Sequence, residues 1–157
     1  MNMKLIQYEH TCFHLQKFNT RSQKYETLTR ADGLELSVNQ FKDVMREFLH
    51  NGKELKVDIL ESIIEELKLF YDCMSKQMEF EFYSGSLLII YGGATATRLQ
   101  TTQVKAIDFA HTVRLVSSPI HDSGTERISE SGYSLGVKSL ISILSDIAEN
   151  HSCETCS

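Results

Sequence analysis

The alternation of apolar and polar positions predicts a β-hairpin near the start of the chain. Residues 11–18, TCFHLQKF, alternate in hydrophobicity as a half-buried strand does. A polar turn, NTRSQ, then leads to a second extended stretch, KYETLTR. We therefore expect these two stretches to pair.

Two amphipathic helices are predicted to follow this hairpin. The segment SVNQFKDVMREFLHNG predicts the first helix, with Ser37 as its N-cap and Asn51-Gly52 as its stop signal. A second, longer helix is predicted over residues 54–78 because apolar side chains recur there at helical spacing. Those side chains are Leu60, Ile63, Ile64, Leu67, Tyr71 and Met74.

A second hairpin and a closing helix are predicted in the remaining sequence. The stretch FEFYSGSLLIIYGG becomes continuously apolar, which is typical of a strand buried on both faces, and QVKAIDFA predicts its partner. In an antiparallel pair the start of one strand lies beside the end of the other, so Ser84, Ser86 and Asp108 are expected to face one spot. The final stretch, SGYSLGVKSLISILSDIAEN, predicts an amphipathic helix. Its expected buried face contains Leu135, Leu140, Ile141, Leu144 and Ile147. The order of elements predicts an α+β fold with antiparallel hairpins packed against helices.

Composition limits the class of protein. A chain of 157 residues with 41% hydrophobic residues predicts one domain over residues 1–150, with residues 151–157 as a disordered tail. No apolar stretch approaches the ~18 residues of a membrane span, so we expect an intracellular protein, cytoplasmic or nuclear or both. A net charge of −5 argues against a nucleic-acid partner. The C-E-T-C pair near the end is weak as a zinc or redox motif, and reduced thiols are expected.

Asp108 is the strongest chemical candidate, and two interpretations of it stay open. A carboxylate at the exposed end of a buried strand is a recurring magnesium ligand in phosphoryl transfer, because Mg²⁺ needs one or two hard oxygens beside the phosphates. The alternative is an ordinary turn residue, with His111 as a surface side chain. Neither a Walker loop nor a G-x-G-x-x-G motif is present.

Four short segments, in order, resemble a known family. EFLHNG, FEFYSGSLLIIYGG, VKAIDFAHT and SGYSLGVKSLISIL resemble the C-terminal half of the inositol polyphosphate kinase family. The SLL, IDF and GY words carry the resemblance, and LHNG with FYS-x-SLL is most similar to the inositol hexakisphosphate kinase branch. The match runs from about Phe13 to Ile147.

The resemblance implies the larger, C-terminal lobe of a fold related to protein kinases, and an ATP-dependent transfer of phosphate to an inositol phosphate. Asp108 would hold Mg²⁺ against the ATP phosphates, and Ser86 would hydrogen-bond within the same cluster. Gly132 and Tyr133 would be structural, because they let the final helix pack close to the site. His111 would face the substrate's phosphates, and Lys53, Lys56 and Arg114 would add positive charge around them.

The sequence departs from the family at the catalytic motif. None of its aspartates is followed two residues later by lysine, so the family's D-x-K motif, and with it a catalytic residue, is absent. The resemblance also begins after the N-terminal lobe, which is therefore expected to be missing. Two interpretations follow: a truncated inositol phosphate kinase with little or no activity, or a non-catalytic module. Such a module would bind an inositol phosphate, or would pair with a protein partner through the surface that the missing lobe would cover.

Overall fold

The computed structural model describes residues 2–7, 12–19, 22–77, 79–83, 85–92, 102–115 and 132–154. Its strands are β1 (Asn2–Gln7), β2 (Cys12–Asn19), β3 (Lys24–Leu28), β4 (Phe80–Tyr83), β5 (Ser86–Tyr91), β6 (Gln103–Ile107) and β7 (His111–Arg114). Its helices are α1 (Arg30–Leu34), α2 (Val38–Leu49), α3 (Val57–Lys76) and α4 (Gly132–Glu154). Ser84 and the predicted loop around Pro119 lie outside the described residues.

Five strands form one antiparallel sheet in the order β3-β2-β1-β5-β6. Both predicted hairpins, β2 with β3 and β5 with β6, are present in it. Strand β1, which the apolar pattern did not predict, joins them: Lys4 lies opposite Leu15 of β2 and opposite Ile89 of β5. The two hairpins are therefore parts of a single sheet.

Strands β4 and β7 form a separate two-stranded ladder. Phe80 pairs with Arg114, and Tyr83 pairs with His111. The stretch FEFYSGSLLIIYGG therefore divides at Gly85 into two strands that belong to different sheets. Strand β7 was not predicted, because all four of its residues are exposed and give no pattern of burial.

Local signals in the sequence set the bounds of α2. Its N-cap is Ser37, as predicted, and the Ser37 hydroxyl accepts a hydrogen bond from the backbone N–H of Gln40 at 3.3 Å. In return the Gln40 side chain accepts one from the Ser37 N–H at 2.8 Å, which completes a capping box. After the helix, Gly52 has a φ of 93°, a left-handed conformation that favours glycine.

Helix α4 differs from its prediction in two respects. The residues of its buried stripe are Tyr133, Val137, Leu140, Leu144 and Ile147. Leu135 is 43% exposed, so its predicted place in the core was wrong: two positions along a helix turn a side chain to the other side. The helix also continues to Glu154 and so includes the first four residues of the predicted tail.

The core lies between the three long helices and strand β5. Residues Leu87, Ile89 and Tyr91 of β5 are buried together with the apolar faces of α2, α3 and α4. A salt bridge of 2.8 Å between Lys42 and Asp146 ties α2 to α4. In the part of the chain that the structure describes, no helix is both long and apolar enough for a membrane span.

Candidate functional site

Three sequence segments meet at one end of the main sheet. Strand β5 begins at Ser86, which lies directly opposite Ile107, the last residue of β6. Helix α4 begins nearby, and the Tyr133 hydroxyl donates a hydrogen bond to the backbone oxygen of Ser86 at 3.2 Å. The SLL, IDF and GY segments are therefore neighbours, and the predicted antiparallel pairing of these two strand ends is confirmed.

The ring of Tyr133 fits against this edge only because residue 85 is glycine. A Cβ atom on Gly85 would lie 2.8 Å from Cε2 of Tyr133, which is closer than two carbon atoms approach. Phe70 of α3 contacts the ring edge-on, with centroids 5.9 Å apart. Tyr133 is 3% exposed, and this burial raises the pKa of its phenol to about 12, so the hydroxyl remains a proton donor at neutral pH.

Asp108 follows β6 directly and has a φ of 62°. This left-handed conformation is uncommon for residues other than glycine, although aspartate and asparagine tolerate it best. Only residues 108–110 separate the end of β6 from the start of β7, so the chain must turn sharply between the two sheets. The carboxylate of Asp108 is exposed at this turn.

The residues after Asp108 anchor the turn. The Thr112 hydroxyl donates a hydrogen bond to the backbone oxygen of Phe109 at 2.9 Å. The ring of Phe109 contacts Phe82 of β4, with centroids 5.5 Å apart and planes inclined by 63°. Asp108 thus lies between β6 of the main sheet and the Phe109 ring, which contacts β4 of the ladder.

Two of the predicted phosphate-contacting residues lie on β7, immediately beyond this turn. His111 and Arg114 are both exposed, and Arg114 approaches Glu79 at 3.8 Å. Because they are three positions apart in a strand, their side chains point to opposite faces of the ladder. The structure therefore does not bring His111 and Arg114 to the same face.

The other predicted cations, Lys53 and Lys56, lie in the turn between α2 and α3. Lys56 forms an ion pair with Glu54 at 3.3 Å. Lys53 lines a cavity of about 560 Å³ that also contains His50 and His151. His151 comes 18 residues after Tyr133 in α4, a separation of about 27 Å along the helix. The structure therefore groups Lys53 with the far end of α4 and not with Asp108.

The donor set near Asp108 fits one kind of metal binding. Among the described residues, no three His, Cys, Asp or Glu side chains are arranged to hold a metal ion. Asp108 therefore offers a hard carboxylate oxygen outside any such group of three among the described residues. This suits a Mg²⁺ or Mn²⁺ ion that takes its other ligands from phosphate and water, whereas an all-protein metal cage needs more ligands.

Comparison with known proteins identifies the family. The family model described as inositol polyphosphate kinase matches residues 10–145. The chain belongs to this family. It is 32% identical to mouse inositol hexakisphosphate kinase 3 over 148 residues, and 29% identical to the human protein of that name over 157 residues. Each match covers 86% of this family member, but only 37% and 38%, respectively, of those relatives. The chain therefore spans less than two fifths of the length of these relatives.

Solved structures confirm the fold expected for an inositol polyphosphate kinase. An inositol phosphate multikinase aligns with a TM-score of 0.72 at 15% identity, and the alignment covers 93% of this chain and 79% of the other. A multikinase from S. cerevisiae, solved in complex with ADP and Mn²⁺, aligns with a TM-score of 0.66, also at 15% identity. At this identity the likeness shows the fold, and the α+β prediction is confirmed.

Sequence reasoning missed part of this family member's site. It gave Tyr133 a packing role without its hydrogen bond to Ser86, and it did not identify Gly85 or the pair of Phe82 and Phe109. The glycine inside an apolar run was an available signal, because glycine within a strand region often marks a close approach of another element. The left-handed backbone of Asp108 had no comparable signal.

Proposed function

We propose that this chain is the metal-binding and nucleotide-binding part of an inositol phosphate kinase, with Asp108 as the metal-ligating carboxylate. The observation that carries the proposal is the left-handed backbone of Asp108 at the end of β6, which gives an exposed carboxylate a fixed position beside Ser86. Unusual backbone of this kind is concentrated at functional sites. Family membership supports the proposal, as does the complex of one structural neighbour with ADP and Mn²⁺.

Asp108 is assigned one chemical role, which is to provide an oxygen ligand to a divalent cation. A divalent cation, when bound, would neutralise charge on the phosphates of ATP. Asp108 would contribute one hard oxygen to it from a turn that Phe109 and Thr112 hold in place. Ser86 is 2% exposed, and its backbone oxygen already accepts a hydrogen bond from Tyr133, so its proposed role is to support the turn from the neighbouring strand.

An inositol phosphate is the proposed substrate class. His111 is the predicted phosphate-contacting residue nearest to Asp108 in the chain and is exposed at the start of β7. Lys53 lines the cavity that His151 shares, at the far end of α4 from Tyr133, and Lys56 forms an ion pair with Glu54. We therefore propose His111 as the substrate contact and assign the two lysines no part in that contact.

Titration calorimetry with Mg-ATP tests the assignment of Asp108. Asp108→Asn keeps the shape of the side chain and tolerates the left-handed backbone, so it removes little besides the charge. We expect it to weaken Mg-ATP binding by at least about tenfold, because loss of even an outer-shell partner of a metal ligand typically costs that much. Asp72→Asn is the matched control, because Asp72 is exposed on α3 and its carboxylate forms a surface ion pair with Lys76 at 2.6 Å. Equal affinities in wild type and Asp108→Asn would refute the assignment.

A transfer assay then separates an active kinase from a binding module. The sequence has no aspartate followed two residues later by lysine, and this observation favours a module that binds ligand with little transfer. The assay would follow ³²P from ATP to inositol hexakisphosphate, with Asp108→Asn as the control. Transfer that depends on Asp108 would support a kinase, whereas binding of both ligands without transfer would support the module.

A further inference from the structure

We propose that Tyr133 is a positioning residue for Asp108, an inference that rests on the proposed function of Asp108. The connection consists of three contacts between described residues. The Tyr133 hydroxyl donates to the backbone oxygen of Ser86 at 3.2 Å, Ser86 pairs across the sheet with Ile107, and Ile107 immediately precedes Asp108. Helix α4 thereby contacts the end of the strand pair from which the carboxylate projects.

Tyr133 is well suited to hold a strand end in place. Its side chain is 3% exposed, and a buried hydroxyl needs a partner, because leaving it unpaired costs free energy. The bare backbone of Gly85 lets the ring reach the strand, and Phe70 contacts the ring from α3. The ring is therefore enclosed on both sides, and its hydroxyl contacts one backbone atom of β5.

Asp108 depends on its backbone for its position. Within the described part of the chain, its side chain makes no hydrogen bond or ion pair that would fix it independently. A residue with a φ of 62° tolerates little change in the strand before it, because the left-handed region is narrow for residues with a Cβ. Movement of Ile107 would therefore displace the carboxylate.

The same strand supplies a matched control. At the other end of β5, the Tyr91 hydroxyl donates to the backbone oxygen of Phe48, and Tyr91 is 4% exposed. Tyr133→Phe and Tyr91→Phe each remove one buried bond from a tyrosine hydroxyl to a backbone carbonyl. Both variants keep the aromatic ring. We therefore expect similar decreases in the free energy of unfolding, from substitutions at opposite ends of β5.

Hydrogen exchange followed by mass spectrometry, on the full chain without ligand, tests the positioning role directly. We expect the amides of residues 86–88 and 105–108 to exchange faster in Tyr133→Phe than in Tyr91→Phe. Tyr91→Phe should instead affect residues 89–91. Equal exchange at residues 105–108 in the two variants would overturn the inference, because loss of global stability alone would then account for the result.

Binding of Mn-ATP, measured on the same variants, provides the second readout. We expect Tyr133→Phe to raise the Kd by up to about fivefold over Tyr91→Phe, the equivalent of one hydrogen bond. If Asp108→Asn abolishes binding while both tyrosine variants bind equally, the positioning role is refuted and the function of Asp108 stands. If the wild type does not bind, the proposed function fails, and hydrogen exchange alone decides whether Tyr133 holds the strand end.

Discussion

Substituting Asp108 by alanine and by glycine distinguishes the effect of its backbone conformation on stability from the proposed effect of its carboxylate on metal binding. A left-handed conformation costs a residue with a Cβ about 1–2 kcal/mol, whereas glycine adopts it freely. Against this, glycine gives the unfolded chain more conformational freedom, which lowers the free energy of unfolding by about 0.4–1 kcal/mol. Because the side chain is exposed, neither change leaves a cavity. We therefore expect Asp108→Gly to be more stable than Asp108→Ala by about 1 kcal/mol, with Asp108→Asn close to the wild type.

Urea unfolding followed by circular dichroism measures this difference. With a slope of about 2 kcal/mol per molar urea, 1 kcal/mol moves the midpoint by about 0.5 M. Both variants lack the carboxylate, so both should lose Mg-ATP binding to the same extent although their stabilities differ. Equal midpoints for alanine and glycine would refute the left-handed backbone. Retained Mg-ATP binding in either variant would refute the metal-ligand role.

Two further predictions concern the helices that support the site. Ser37→Ala should lower the free energy of unfolding by about 1 kcal/mol, because it removes the capping box of α2. Ser142→Ala, on the exposed side of α4, is the control and should cause no such loss. Similar urea midpoints for the two variants would contradict this prediction. Burial raises the pKa of Tyr133 from its ordinary value of 10.0 to about 12. The protonated phenol therefore contributes its full share to the free energy of unfolding below pH 10, and this contribution is lost as the pH rises towards 12. The difference in the free energy of unfolding between wild type and Tyr133→Phe should therefore shrink over that range, and a constant difference would contradict the burial of the phenol.

The sequence predicted those elements whose signals are local. Helix α2 has its N-cap and its stop within the helix segment itself, and α3 carries an apolar stripe, so both were located to within a few residues. The pairing of Ser86 with Ile107 was also predictable, because a hairpin fixes which strand ends are neighbours.

Elements whose partners are distant in sequence were not predictable in the same way. Strand β1 pairs with β5, more than eighty residues later, and β4 pairs with β7 across the whole β5–β6 hairpin. The short alternation of FEFY in β4 indicates a strand but does not identify its partner. Likewise, the position of Lys53 relative to Asp108 depends on how the turn between α2 and α3 packs against the far end of α4, which no local pattern specifies. The grouping of cations around the site was therefore the least secure part of the sequence analysis.

The turn after β6 suggests two separate requirements at residue 108: a left-handed backbone, and a carboxylate side chain. The chain must pass from the main sheet to the β4–β7 ladder within three residues, and a left-handed residue at position 108 makes this possible. Glycine would satisfy that demand with less strain. An aspartate there adds little to the packing of the turn, since the residue is exposed. Its presence there at some cost in stability is what is expected where the side chain, and not the backbone alone, has a function.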